Sequence, residues 1–333
     1  ERIFITDEDR LLFLRTLGEV CEKAEWDVHA YCLMGNHFHL VIETPQANLV
    51  AGMKWFLGTY TIRFNRRHRL SGHLFSGRYK SLVVDGSGNG YLRTVSEYVH
   101  LNPARANLVP PDQPLRAYRW SSFRDYLQAP ARRPHWVRVD RVLGEMRISG
   151  DTRAARREFE RQVEARRAGE SGAEWAVVRR GWCLGEGAFR DELLALVDTR
   201  SGDSHYRTPG RESAETKAEG LVQEELSRRG WSETMLENTR KGDPTKVEIA
   251  VRLRRETTVT LKWISHRLKM GRWTHAANRI YARFLNPKAR ARRAPRTPEI
   301  NVSGTANDRT NNEELVLEKV RTDPLWDLPV HCL

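Results

Sequence analysis

A β-hairpin expected in the first fifty residues constrains the fold of this chain more than any other feature. Two segments, Trp26 to Leu33 and His37 to Glu43, show side chains of alternating polarity. This period-2 pattern is typical of strands with one buried face. The intervening Met34-Gly35-Asn36 is compatible with a turn. Because successive side chains point to opposite faces of a strand, His37 and His39 share one face, and the apolar residues between and after them share the other.

Helices are expected to alternate with strands over the first hundred residues. Asp7 to Ala24 and Leu49 to Arg67 carry apolar residues at three- and four-residue spacing. Tyr79 to Asp85 is predicted as a third strand. A further helix is expected to stop near Asn102, because Pro103 disfavours helical geometry in the residue before it. The order helix, strand, strand, helix, strand, helix indicates an α+β fold with an antiparallel sheet.

Two imidazoles on one strand face and a tyrosine on a nearby helix suggest phosphodiester chemistry. Neutral imidazoles bind divalent metals, so His37 and His39 are candidate metal ligands. Asn102 is the candidate third donor through its amide oxygen. Tyr98 lies one helical turn before Asn102 and is the candidate catalytic nucleophile. Each of these residues alone is more typical of an ordinary surface or core position, and the hypothesis depends on their combination.

Four ordered sequence blocks resemble those of the HUH single-tyrosine transposases, specifically the REP-associated tyrosine transposases. The blocks are Tyr31 to His39, Gly72 to Lys80, Tyr98 to Ala106 and Trp120 to Phe123, and the resemblance spans residues 1–127. It implies a ferredoxin-like antiparallel sheet with helices, the HUH nuclease fold. It also implies nicking and strand transfer on single-stranded, hairpin-forming DNA through a 5′-phosphotyrosine link, with Mg²⁺ or Mn²⁺ as the metal.

The resemblance also implies an additional strand. In the family an extended strand precedes the equivalent of Arg2-Ile3-Phe4, so this chain resembles a form that lacks the first strand. If that strand lies inside the sheet, its loss leaves the flanking strands with unpaired backbone groups.

The charge of the chain favours a polyanionic partner. Lys and Arg total 56 against 43 Asp and Glu, which gives a formal net charge of +13. A solvated basic surface is the alternative explanation. With the resemblance, DNA contact is favoured for cations near the aromatic residue Phe75 and in a C-terminal helical region. The predicted DNA-binding residues are Arg63, Arg66, Arg67, Arg78, Lys80, Arg267 and Arg272.

The rest of the chain is predicted to divide into three parts. Residues 128–170 are expected to be a charged connector with a solvent-facing helix. Residues 171–285 are expected to form an all-α domain with a helix-turn-helix around Met270-Gly271, and an ordinary three-helix scaffold is the alternative there. Residues 286–333 have the composition of a basic, largely disordered tail.

The principal interpretation is a DNA transposase and single-strand endonuclease with a tyrosine nucleophile. One alternative is a non-catalytic, sequence-specific DNA-binding regulator derived from a transposase, for which Tyr98 would not matter. An RNA-binding protein is a third, but the strands lack the exposed aromatic pattern of such domains. Four scattered cysteines fit a reduced, cytosolic setting. The expected localisation is cytoplasmic, in association with the nucleoid. No membrane span is expected, and a homodimer is compatible with the sequence.

Overall fold

The computed structural model describes residues 2–77, 79–169, 175–200, 209–285 and 330–332. Its strands are β1 (Asp27–Leu33), β2 (Phe38–Glu43), β3 (Leu82–Val84), β4 (Cys183–Leu184) and β5 (Val330–Cys332). Its α-helices are α1 (Asp7–Ala24), α2 (Leu49–His68), α3 (Tyr91–Arg105), α4 (Phe123–Tyr126), α5 (Asp140–Glu145), α6 (Arg153–Ala168), α7 (Ala176–Arg180), α8 (Gly187–Arg200), α9 (Pro209–Arg229), α10 (Glu233–Asn238), α11 (Pro244–Glu256), α12 (Leu261–Arg267) and α13 (Trp273–Leu285).

The predicted hairpin is confirmed as the antiparallel pair β1 and β2, in which Cys32 lies opposite His39. The full sheet has the strand order β1-β2-β5-β3-β4. All neighbouring strands are antiparallel except β3 and β4, which are parallel. The element order through α3 matches the predicted one, although the third strand is shorter than expected and the sheet is mixed rather than purely antiparallel. The HUH nuclease fold itself stays a prediction.

The strand β5 occupies the middle of the sheet although it follows every other element in the chain. Its backbone pairs with β2, where Cys332 lies opposite Val41, and with β3, where Cys332 lies opposite Leu82. Residues 330–332 thus form a strand, while the rest of the predicted tail, residues 286–329 and 333, lies outside the described residues. The expectation of unpaired backbone groups is not met at β2 and β3, because β5 lies between them.

Aromatic packing attaches α1 and α2 to one face of the sheet. The ring of Phe13 on α1 lies 4.9 Å from that of Phe38 on β2 and 4.7 Å from that of Phe56 on α2. The helix α2 also passes very close to Trp26, since a Cβ atom added at Gly52 would lie 2.1 Å from the indole ring. Only glycine fits there, so this contact fixes the position of α2.

The opposite face of the sheet is covered by α3, which packs on β1 and β2. Behind it lies α6, from which Phe159 and Val163 are fully buried in the same core cluster. The prediction that this charged stretch is helical is confirmed, but the prediction that it faces solvent is wrong for its apolar side. Spacing of three to four residues brings its few apolar side chains onto one stripe, which the core covers.

A second cluster of buried residues begins at Ala218 and ends at Ile280, and it is formed by α9 to α13. Ion pairs and hydrogen bonds connect it to the first unit. Lys23 on α1 donates a hydrogen bond of 2.7 Å to the carbonyl oxygen of Arg254, and Lys217 forms an ion pair of 2.6 Å with Glu25. The predicted boundaries at residues 127, 170 and 285 stay predictions. In the described parts of the chain, no helix has the length and apolar character needed to cross a membrane.

Candidate active site

The strand β2 brings the two candidate histidines together. His37 lies immediately before the strand and His39 within it, with ring centroids 5.0 Å apart and ring planes nearly perpendicular. Phe38 between them points toward Phe13 on the opposite face. The alternation predicted from the sequence is therefore confirmed, and it leaves both imidazoles on the side that α3 covers.

Removal from solvent, partial for His37 and greater for His39, favours the neutral form of both imidazoles. It lowers the pKa of His37 from its ordinary value. Burial is also the main cause that lowers the pKa of His39 to about 4, and the neighbouring His37 and Arg105 contribute to the decrease. A neutral imidazole retains a ring nitrogen with a lone pair, which is the form that binds metal ions.

The helix α3 carries the other half of the site. Tyr98 and Asn102 are four residues apart on this helix and therefore lie on the same side, one turn from each other. The ring of Tyr98 lies 5.7 Å from that of His39, again nearly perpendicular. The sequence-based pairing of a histidine-bearing strand with a tyrosine-bearing helix is thus present in the structure.

The predicted end of this helix is wrong, because α3 continues through Pro103 to Arg105. Pro103 is close enough to the end of the helix that its missing N–H removes only one hydrogen bond. The turn after it is closed by hydrogen bonds of 2.9 Å from Ala106 N to Asn102 O and 2.8 Å from Leu108 N to Pro103 O. Pro103 itself is buried.

Two residues that sequence reasoning missed complete the surroundings of Tyr98. The Arg105 guanidinium lies 4.0 Å from the centre of the Tyr98 ring, and the ring of Trp175 lies 5.6 Å from it. Arg105 is seven residues after Tyr98, a spacing that returns to the same helix face, so the sequence carried a signal for it. Trp175 is far away in the chain, and no local pattern could have placed it here.

Two further ionisable residues on these elements, His100 and Glu43, have structural roles. His100 is buried among aromatic rings, and its Nε2 lies 2.9 Å from the hydroxyl oxygen of Ser122. Glu43 is fully buried, with Oε2 lying 2.8 Å from His29 Nε2 and 2.7 Å from an Arg141 guanidinium nitrogen. Glu43 is therefore an ion-paired core residue.

The candidate metal ligands are two imidazoles and an amide. In the described residues, no group of three or more His, Cys, Asp or Glu side chains is placed to hold a metal ion. The buried Asn102 has an amide nitrogen that finds no hydrogen-bond partner in the described part of the structure. Rotation of this amide by half a turn exchanges its nitrogen with its oxygen. The donor chemistry therefore fits an oxygen-seeking divalent cation beside neutral imidazoles.

The predicted DNA-binding cations fall into two groups. Three of them are held by carboxylates: Arg63 by Glu19, Arg67 by Glu8 and Asp9, and Arg267 by Glu219 and Glu233. In each pair the carboxylate neutralises the positive charge with which the arginine would bind a phosphate. DNA binding by these three arginines stays a prediction, and the ion pairs give each of them an alternative, structural role.

The second group is less constrained. Lys80 and Arg272 are exposed, and neither has an ion-pair partner within the described ranges. Arg66 at the end of α2 stacks on the ring of Tyr281 on α13, at 5.3 Å from its centre. Arg78 lies outside the described residues.

Residues 1–102, which hold β1, β2 and most of α3, match the family model for IS200-like transposases. The match covers less than a third of the chain, and it includes all four residues predicted for catalysis and metal binding. It supports the transposase family for this segment and connects the segment with transposase-type DNA processing, but it does not distinguish the REP-associated branch. No curated protein and no solved structure matches the chain.

Proposed function

We propose that the N-terminal unit nicks and rejoins single-stranded DNA through Tyr98. The observation that supports this most directly is the contact between the rings of Tyr98 and His39, 5.7 Å apart, inside the segment that matches IS200-like transposases. A phenol beside two neutral imidazoles suits phosphoryl transfer, because the candidate nucleophile and two candidate metal ligands are already held in one place. Hairpin-forming DNA and the REP-associated type of chemistry are part of this proposal.

Each residue has a defined role in the proposed step. The phenolic oxygen of Tyr98 attacks the scissile phosphorus and loses its proton to solvent. The bond from phosphorus to the 3′-oxygen breaks, and that oxygen takes up a proton to become a free 3′-hydroxyl. One phosphate ester replaces another, so the 5′-phosphotyrosine conserves the bond for rejoining and no ATP is needed.

His37, His39 and Asn102 would hold a divalent cation, Mg²⁺ or Mn²⁺. When bound, the cation supplies positive charge that polarises a phosphoryl oxygen. The surroundings supplied by the chain lower the pKa of both imidazoles through desolvation and so favour their neutral form. The chain also supplies an amide on the same side of α3 as the nucleophile.

The experiment is incubation of the protein with a hairpin-bearing single-stranded oligonucleotide and Mn²⁺, followed by a denaturing gel. A covalent protein-DNA band is expected. Tyr98→Phe removes only the hydroxyl oxygen, so it should abolish the band while oligonucleotide binding is retained. Tyr91→Phe, at a partly exposed tyrosine at the start of the same helix α3 with no proposed role, is the matched control and should leave the band unchanged. Undiminished nicking by Tyr98→Phe would refute the mechanism. DNA binding without cleavage or adduct in the wild-type protein would instead favour a non-catalytic DNA-binding regulator.

A second part of the proposal assigns duplex binding to the helices α12 and α13, which would act as a helix-turn-helix. They are joined by a turn in which Gly271 has a φ of 83°, a conformation that favours glycine. The segment 261–285 contains no acidic residue. Ala276 and Ile280 face the core, which directs Thr274 and Asn278 outward on a basic surface. Polar and cationic side chains on an exposed helix suit the major groove of a hairpin stem.

A further inference from the structure

Trp175 closes the candidate site over Tyr98. The indole ring is 1% exposed and Tyr98 is 8% exposed. Their ring centroids are 5.6 Å apart, and the Arg105 guanidinium lies near both rings, 4.0 Å from that of Tyr98 and 5.3 Å from that of Trp175. A second guanidinium, that of Arg166 on α6, lies 5.6 Å from the indole ring. Tyr98 is thereby packed among a tryptophan, an arginine and His39.

This closed arrangement conflicts with the proposed chemistry. Attack on phosphorus requires the phosphate to lie about 3–3.5 Å from the phenolic oxygen in an aligned geometry. The exposed area of Tyr98 is too small for a nucleic-acid strand to reach the phenolic oxygen. A substrate strand can reach the residue only if one of the covering side chains moves.

Trp175 is the covering side chain best suited to move. It lies immediately before the short helix α7, no residue of which is buried. Its indole nitrogen is buried without a hydrogen-bond partner in the described part of the structure. A buried donor without a partner is unfavourable, and the indole nitrogen regains a hydrogen bond when the side chain returns to water. His39 and Arg105, by contrast, are held by a strand and by the nucleophile's own helix.

We propose that Trp175 is a cover for Tyr98, and that its displacement by a DNA strand opens the site. The indole covers the edge of the tyrosine ring in a tilted contact, with an interplanar angle of 54°. An incoming base can take its place, because bases stack on aromatic side chains. The proposal rests on the proposed function for its consequence, but the cover can be measured without any cleavage.

The experiment is nitration of the protein with tetranitromethane, quantified at each tyrosine by peptide mass spectrometry. Trp175→Ala should make nitration of Tyr98 about tenfold faster, which corresponds to loss of roughly 1.4 kcal/mol of protection. Trp182→Ala is the matched control, because Trp182 lies nearby in the chain but is 43% exposed, and it should change nothing at Tyr98. Tyr281, 43% exposed, and Tyr126, 1% exposed, serve as internal fast and slow standards.

Trp175→Leu keeps an apolar side chain at the position and provides a second reading if the alanine variant does not fold. An unchanged rate of Tyr98 nitration in a folded variant would overturn the cover. The adduct assay separates this result from the proposed function. If the wild-type protein forms no DNA adduct but the variants expose Tyr98, the cover stands and the nuclease proposal fails. If the adduct forms and nitration is unchanged, the nuclease stands and the cover fails.

Discussion

Individual residues in this protein have roles that their type alone does not reveal, and the histidines show this most clearly. His37 and His39 lie together on the site face of β2. His100 is enclosed by aromatic side chains, and His68 lies 2.8 Å from the buried Asp9 carboxylate. Of these four, only His37 and His39 lie on the site face of the strand, as its periodicity predicted.

We expect His37→Ala and His39→Ala each to abolish Mn²⁺ binding measured by calorimetry, because coordination by two imidazoles does not survive the loss of one. His135→Ala is a suitable control, since this side chain is 72% exposed and its removal leaves the core intact. Unchanged Mn²⁺ affinity in both site variants would place the metal elsewhere.

The buried pair of Glu43 and His29 predicts a stability effect that depends on pH. Burial alone would raise the pKa of Glu43, but hydrogen bonds and charges from His29 and Arg141 outweigh it and lower the pKa to about 2. Arg138, 3.5 Å from the carboxylate, adds further positive charge. The carboxylate therefore stabilises the fold fully above its ordinary pKa of 4.5, and this contribution is lost as the pH falls toward 2.

Glu43→Gln should lower the free energy of unfolding by about 3 kcal/mol at pH 7, since it leaves a buried guanidinium without its counter-charge. Denaturant titrations at several pH values should show this difference shrinking below pH 4.5, where the wild-type carboxylate loses its advantage. Glu22→Gln, at an exposed carboxylate, should show no such trend. A difference that stays constant down to pH 2 would contradict the assignment.

At the scale of elements, local sequence patterns predicted the structure correctly wherever it depends on the residues of a single element. The hairpin, α1 and α2 follow from periodicity and turn chemistry, and β2 placed both histidines correctly. Predictions from local sequence patterns failed where packing between elements determines the structure. Pro103 is accommodated inside α3 because the core holds that turn, and the apolar side of α6 is buried because α3 lies against it. Trp175 could not be assigned to the site, because its contact with Tyr98 joins distant parts of the chain.

Variants within and just before α13 can separate DNA contacts from structural ion pairs. Arg272→Ala and Arg279→Ala remove exposed cations, so each should weaken binding to a hairpin duplex and reduce the log-log salt slope by about one. Arg267→Ala is the matched comparison, since its guanidinium is bound to Glu219 and Glu233. That variant should lose thermal stability and keep the salt slope. Equal slopes in all three variants would argue against DNA contact by α13.

At the scale of the whole molecule, the order of strands in the sheet does not follow their order in the chain. The strand β5 follows the helical unit in the chain but belongs to the sheet of the first unit. No periodicity indicated this strand, because three residues are too few to show a pattern and its partners lie at the other end of the sequence.

Removal of residues 330–333 should open the sheet between β2 and β3. Each backbone hydrogen bond lost would cost about 1 kcal/mol, and amide hydrogen exchange at residues 41–43 and 82–84 should become faster. Amides of α13 serve as the control, since that helix packs in the other cluster. Unchanged exchange in both strands would mean that β5 contributes nothing to the sheet.

The position of β5 also has a consequence for biosynthesis. Ribosomes add about 5–20 residues per second, so a nascent chain that has already emerged through β3 waits on the order of tens of seconds before β5 is available. During that interval the hairpin of β1 and β2 presents an open edge on the side where β5 will pair. Open strand edges recruit other strands. The chain is therefore most exposed to aggregation during its own translation, and production at lower temperature or with a holding chaperone should raise the yield of soluble protein.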